Sequence, residues 1–306
     1  MKLFLSKPRG FCAGVERAIE TVEKALQLFG PPIYVKHEIV HNRHVVDDLK
    51  AKGAIFIEDL KQVPRGSRLI YSAHGVCPKV RQEAKERGLI EIDATCGLVT
   101  KVHSAVKRFA AKGYLIILIG HKHHVEIIGT AGEAPEQTYI VESVEDVERL
   151  SFAQDQKLFY ATQTTLSLDD VSSIAKALLD KFPHIEALPS SSICYATTNR
   201  QMALRKILDQ VQLVLVIGDP SSSNSNRLKE VASLRGTSSY LINDESEIKE
   251  EWFQETPVIG LTAGASTPEH IVQGCIAKLQ KLGVKEVEEV VFTEEDVVFQ
   301  LPKQVL

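Results

Sequence analysis

The sequence predicts an α/β protein: three quasi-equivalent domains with mostly parallel sheets, arranged around a pseudo-threefold axis. Three observations carry this expectation. A cysteine stands at the entrance of an amphipathic helix three times along the chain, at Cys12, Cys96 and Cys194. After each helix an apolar, strand-like run stops at polar residues, and two more strand-like runs then follow in the same order. Alternation of strands with helices is the pattern of a parallel sheet.

The first helix lies within 11–30, where Val15, Ala18, Ile19, Val22, Ala25, Leu26 and Phe29 fall on one face and Gly30-Pro31-Pro32 stops it. Cys96 likewise precedes Val99, Val102, Ala105, Val106 and Phe109, and Cys194 precedes Ala203, Ile207, Leu208 and Val211. The runs that follow are "IYVKHEIVH", ending at His41, "YLIILIGHKHHVE", carrying His124 and Glu126, and "LVLVIGDPSSSNSN", carrying Ser222, Ser223 and Asn224. Short strands with acidic ends come next: "AIFIEDL", "TYIVESVEDV" and "SYLINDESEI". The third runs are "SRLIYSAHG", stopping at His74, "KLFYATQTT", stopping at Thr164, and "PVIGLTAGAS", stopping at Ser266. This is a degenerate repeat of roughly 85 to 100 residues, long enough for each copy to be a small α/β domain. The expected division is 1–95, 96–193 and 194–282, with a tail at 283–306 that adds strands or caps the assembly.

Composition narrows the function. With 306 residues, 44% apolar content and a net charge of -4, the chain has no global pull toward nucleic acid or anionic lipid. Its longest apolar runs are far shorter than the ~20 residues of a membrane span. The N-terminus "MKLFLSKPRG" lacks a signal-peptide pattern, so a cytoplasmic protein is expected. Five widely spaced cysteines do not form a disulfide framework.

Ligands of parallel sheets sit at the carboxyl ends of strands and at helix N-termini, where all these landmarks fall. Three domains about one axis would bring Cys12, Cys96 and Cys194 together, and the positive end of a helix dipole favours thiolate, the metal-binding form. Three sulfur ligands suit an iron–sulfur cluster with one open iron or a zinc site. Cys77 and Cys275 have no counterparts in the repeat and read as small core residues. His41, His74, His124, Ser222, Ser223, Asn224 and Ser266 supply imidazole, hydroxyl and amide donors for an anion with several oxygens, such as a phosphate or diphosphate. Nucleotide-binding glycine loops are absent, which argues against a nucleotide. Glu126, with Thr164 at the matching edge, is the candidate proton donor.

The stretches "RGFCAGVERAIE", "HEIVHNRHVV", "SAHGV", "DATCGLVTKVH", "TQTTLS", "ICYATTNRQ", "SSNSNR" and "TAGAS" closely resemble the 4-hydroxy-3-methylbut-2-enyl diphosphate reductase family, in order and over nearly the whole chain. The resemblance implies three α/β domains around a central [4Fe–4S] cluster, one per chain, held by Cys12, Cys96 and Cys194. It implies a diphosphate pocket of His41, His74, His124, Ser222, Ser223, Asn224 and Ser266, and a proton-delivery pair of Glu126 and Thr164. The implied reaction is reductive dehydroxylation, the last step of the methylerythritol phosphate route to isoprenoids. Electrons would come from a ferredoxin or flavodoxin type donor, since no flavin or nicotinamide motif is evident, and a monomer is the default. Three departures stand out: Gly97 and Val125 where the family usually has proline, and an additional imidazole, His123, beside His124. Loss of proline loosens the local backbone. The rival readings are a zinc hydrolase with Glu126 as base and an iron–sulfur sensor.

Overall fold

The computed structural model describes residues 1–188, 192–254 and 256–306. The chain opens with β1 (Lys2–Lys7) and α1 (Ala13–Phe29). Next come β2 (Ile33–Lys36), α2 (Arg43–Ala51), β3 (Ala54–Ile57), β4 (Arg68–Tyr71), α3 (Pro78–Glu86) and β5 (Ile90–Asp93). The same order continues with α4 (Gly97–Ala110), β6 (Leu115–Ile119), α5 (Val125–Ala131), β7 (Thr138–Val141), α6 (Val144–Arg149), β8 (Leu158–Thr162), α7 (Leu168–Lys181) and β9 (Glu186–Ala187). The last third holds α8 (Tyr195–Leu208), β10 (Leu213–Ile217), α9 (Ser223–Leu234), β11 (Ser238–Ile242), β12 (Val258–Ala263), α10 (Glu269–Lys281) and β13 (Glu286–Val291).

The strands form three sheets, ordered β3-β2-β4-β5, β7-β6-β8-β9 and β11-β10-β12-β1-β13. Every pairing between the described strands is parallel. The order also shows how the repeat closes. The strand before each helix-opening cysteine is fourth in the sheet of the preceding repeat: β5 before Cys96 pairs with β4, and β9 before Cys194 pairs with β8. By the same rule β1, before Cys12, pairs with β12, with Leu3 opposite Ile259. The structure therefore differs from a division at 1–95, because residues 2–7 belong to the sheet of the last repeat. The tail adds β13 beside β1, with Phe4 opposite Glu288.

Contacts divide the chain into two compact units. One comprises Met1–Glu16, His41–Asp47 and Tyr195–Val298 and holds the five-stranded sheet; the other comprises Arg17–Val40, Asp48–Cys194 and Phe299–Leu306 and holds both four-stranded sheets. The two units divide the chain differently from a division at 95, 193 and 282.

Strand residues alternate between two buried faces, which is why the strands read as continuous apolar runs. In β10, Leu213, Leu215 and Ile217 join Val272, Cys275 and Leu279 of α10 on one face. Val214 and Val216 pack on the other face against Leu204, Ile207 and Leu208 of α8 and Leu228 and Val231 of α9. In β6, Ile116 and Leu118 meet Val102 and Val106 of α4, while Ile117 and Ile119 meet Val147 of α6 and Ile174 and Leu178 of α7. Burying each such side chain contributes about 1.5–3 kcal/mol. Among the described residues no helix is long and apolar enough to cross a membrane.

Candidate active site

The three cysteines keep the helix-entrance placement expected of them. The Cys12 carbonyl accepts the first helical bond of α1 from Glu16 N at 2.9 Å, and the Cys96 carbonyl that of α4 from Thr100 N at 2.9 Å. Cys194 immediately precedes α8. Cys12, Cys96 and Cys194 are half-buried, and Cys275 is fully buried in the core. Cys77 immediately precedes α3, without a side-chain capping bond, and its Cβ lies where an added Cβ at Gly132 would collide with it.

In the unit with two sheets, a run of contacts links several candidate residues. Cys194 N donates to Thr164 O at 3.0 Å. Thr164 N donates to Glu126 Oε1 at 2.6 Å, and Thr164 Oγ1 donates to Glu126 Oε2 at 2.9 Å, with Glu126 and Thr164 only 3% and 4% exposed. Glu126 N donates to His124 Nδ1 at 3.2 Å, so His124 caps α5. The His124 ring meets that of His74 edge-on, 6.0 Å between centroids, and His37 approaches His74 at 5.9 Å. Cys96 N donates to Ala73 O at 3.0 Å, next to His74. Gly75, at φ +77, lets that turn close: a Cβ there would come within 3.1 Å of Thr95 and 3.2 Å of His103.

In the other unit a second set forms around the end of β12. Cys12 N donates to Ala265 O at 3.3 Å, and Ala265 N donates to Asn224 Oδ1 at 2.9 Å. Asn224 Nδ2 donates to Thr197 Oγ1 at 3.2 Å, and Ser266 Oγ donates to His41 O at 2.8 Å. Ser222 caps α9, its hydroxyl accepting from Ser225 N and from Ser225 Oγ at 3.1 Å, and Ser223 opens the helix. Burial pushes the Tyr195 phenol above its usual range, and neighbouring Cys12 and Glu295 add to that.

Two details differ from the sequence reading. Glu126, Ser223 and Asn224 lie in first helical turns rather than on strand ends, because β6 stops at Ile119 and β10 at Ile217. Sequence reasoning also passed over Thr197, which holds Asn224, and Arg200, which holds the backbone before Cys12; both, with Gln201, are fully buried in α8. Their signal is a polar stripe at i, i+3 and i+4, where a core-facing helix ordinarily carries apolar residues. His37 has the sole positive φ (63°) among the described non-glycine residues, a sparsely populated conformation that no motif announces. Of the departures, Val125 is the first residue of α5, and Gly97 sits under Phe299, whose ring would lie 3.2 Å from an added Cβ.

The fold and these side chains define an α/β enzyme with a buried acid and cysteines at helix entrances. The chain matches the LytB protein family model over residues 3–280. It is 74% identical to a 4-hydroxy-3-methylbut-2-enyl diphosphate reductase of Protochlamydia amoebophila over 306 residues, covering 100% of this chain and 98% of the relative. It is 64% identical to the reductase of that name from Chlamydia trachomatis serovar D, over 99% of each chain. Among solved structures, the E-1-hydroxy-2-methyl-but-2-enyl-4-diphosphate reductase from Plasmodium falciparum superposes with a TM-score of 0.97 at 51% identity, covering 99% of this chain and 96% of that one. The chain belongs to the LytB protein family and is an oxidoreductase. Membership implies an iron–sulfur cofactor, and the donor set fits one: three cysteine sulfurs, the ligand type such clusters take, stand at helix entrances.

Proposed function

We propose that the chain reduces (E)-4-hydroxy-3-methylbut-2-enyl diphosphate to isopentenyl and dimethylallyl diphosphate, taking up two electrons and two protons and releasing water. The names carried by its full-length relatives support this substrate, and the buried Glu126–Thr164 pair is the structural observation that carries the chemistry. A [4Fe–4S] cluster, one per chain and held by Cys12, Cys96 and Cys194, supplies redox equivalents and a Lewis-acidic iron when bound.

The chain's own residues do the rest. His41, His74, His124, Ser222, Ser223, Asn224 and Ser266 bind the diphosphate, so that binding energy is spent on orienting the reacting end. Thr164 holds both Glu126 oxygens through its backbone N–H and its hydroxyl. When Glu126 carries the proton its bond with Thr164 Oγ1 reverses, so that Oγ1 accepts from the acid while its own proton passes, by way of the substrate's diphosphate, to the hydroxyl that departs as water. A second proton adds at either end of the allyl unit and decides which product forms. Burial of both residues keeps bulk water from the transfer. The protein acts as a cytoplasmic monomer fed by a ferredoxin or flavodoxin type donor.

Two measurements test this. Protein purified without oxygen is expected to contain about four irons and four sulfides per chain; zinc without sulfide would return the chemistry to a hydrolase. Glu126→Gln keeps the metal content and the substrate affinity but loses roughly 10²–10⁴-fold in turnover, the range for a positioned acid. A rate near that of the parent would remove Glu126 from proton delivery.

A further inference from the structure

Among the described residues, Arg200 is the largest fully buried side chain, at 0% exposure. Its guanidinium is spread over the backbone just before Cys12. Nε and Nη2 donate to Gly10 O at 3.1 and 2.8 Å, and Nη2 also donates to Phe11 O at 3.0 Å. Nη1 donates to Ala196 O at 3.0 Å and to both oxygens of Glu295 at 3.1 and 3.2 Å. Asn199 Nδ2 holds Glu295 Oε1 from the same helix at 2.9 Å. From the opposite side, Gly10 N donates to Ala263 O at 3.2 Å and Cys12 N to Ala265 O at 3.3 Å. Gly10 has φ +65, and a Cβ there would lie 3.1 Å from Thr267 O.

Glycine is thus required where the loop turns, and the backbone leading into Cys12 is held on its N–H side by the end of β12 and on its carbonyl side by one arginine. Burying a guanidinium is costly unless every donor is used, and an apolar side chain would fill the same volume without that cost. What an apolar residue lacks is a rigid planar fork that fixes two successive carbonyls, and a lysine lacks it too. We infer that Arg200, locked by Glu295, is a positioning residue for Cys12 as a metal ligand. The inference rests on the proposed role of Cys12 in holding the cluster.

The test compares Arg200→Lys and Glu295→Gln with the parent, after anaerobic reconstitution with ferrous iron and sulfide. Lys206→Gln is the control, since Lys206 ties the same helix to Val291 O at 2.7 Å without touching the Cys12 loop. Arg200→Lys is expected to lose its iron to a chelator about tenfold faster, the scale on which groups that orient metal ligands act. It should also alter the electron paramagnetic resonance signal of the reduced cluster and, in the metal-free protein, change the alkylation rate of Cys12 while leaving Cys96 and Cys194 as in the parent. Glu295→Gln shifts the same readouts in the same direction by less, and decides the matter where Arg200→Lys does not fold. Parent-like chelation, spectrum and alkylation would overturn the inference. So would equal changes at all three cysteines with a lowered melting temperature, which mark a purely structural role. Should the parent itself take up no iron, the cluster reading fails instead, and Cys12 alkylation in the metal-free variants still decides whether Arg200 orders that loop.

Discussion

Glu126 and Thr164 are 38 positions apart in sequence and share two hydrogen bonds. The backbone N–H keeps the carboxylate in register while the hydroxyl, a donor and an acceptor at once, remains the exchangeable contact. A serine would keep both bonds, but losing the threonine methyl would free the rotamer. Cys275 is the opposite case. Burial, with Glu245, Asp244 and Glu247 nearby, pushes its thiol up to about 12. Since only the thiolate attacks, Cys275 in the native protein is expected to resist iodoacetamide at pH 8 and to react once the chain is unfolded. Mapping the modified peptides checks this, and modification of Cys275 in the folded protein would contradict its placement in the core. Cys275 and Cys77 read alike as core residues because the repeat gives them no counterparts; Cys275 is in the core, whereas Cys77 is half-buried at the start of α3. Arg200 is marked only by its place in the polar stripe with Thr197 and Gln201, a weak signal because an arginine in a helix is by default a solvated side chain.

At the scale of elements, helix entrances and strand runs were legible because each rests on local physics: the period of the apolar residues, and the proline or glycine that ends them. Strand ends were read too generously. "HKHHVE" and "SSSNSN" follow apolar runs without a break in sequence, yet His124 and Ser222 are helix caps, so the residues after them turn into helices. Another cap carries a testable charge. Asp244 accepts from Ser246 and pairs with Arg43 of α2 at 2.8 Å. Hydrogen bonding from the Ser246 side chain outweighs the desolvation penalty and, with the Ser246 backbone and Arg43, lowers the Asp244 carboxyl to about 2. A carboxylate depressed in the folded state stabilises above its unfolded pKa and loses that contribution as pH falls through the folded value. Asp244→Asn should therefore be less stable than the parent at neutral pH, with the gap closing between about pH 4 and pH 2. Denaturant melts across that window measure it; a gap that stays constant would mean that the charge is not its source.

At the scale of the whole molecule, what local reading missed is the partner of β1. "KLFLSK" announces a strand but not which sheet it joins, because that follows from the cyclic order of the repeats and not from composition. The cluster proposed for Cys12, Cys96 and Cys194 would have a thermodynamic consequence. A group bound jointly by residues 12, 96 and 194 closes two long stretches of chain, and loop-closure entropy grows only slowly with length, so binding can still favour the folded state strongly. A ligand at a thousand times its dissociation constant adds about 4 kcal/mol. A chain of this size turns each kcal/mol into about 2 °C of melting temperature. Stripping the metal anaerobically with a chelator is therefore expected to lower the melting temperature by about 8 °C. Cys12→Ser, Cys96→Ser and Cys194→Ser should each melt near the stripped parent and respond little to the chelator, because a jointly held group is lost when any one anchor goes. Three variants with separate, additive losses would mean that the cysteines act independently, and an unchanged parent would mean that they hold nothing in common.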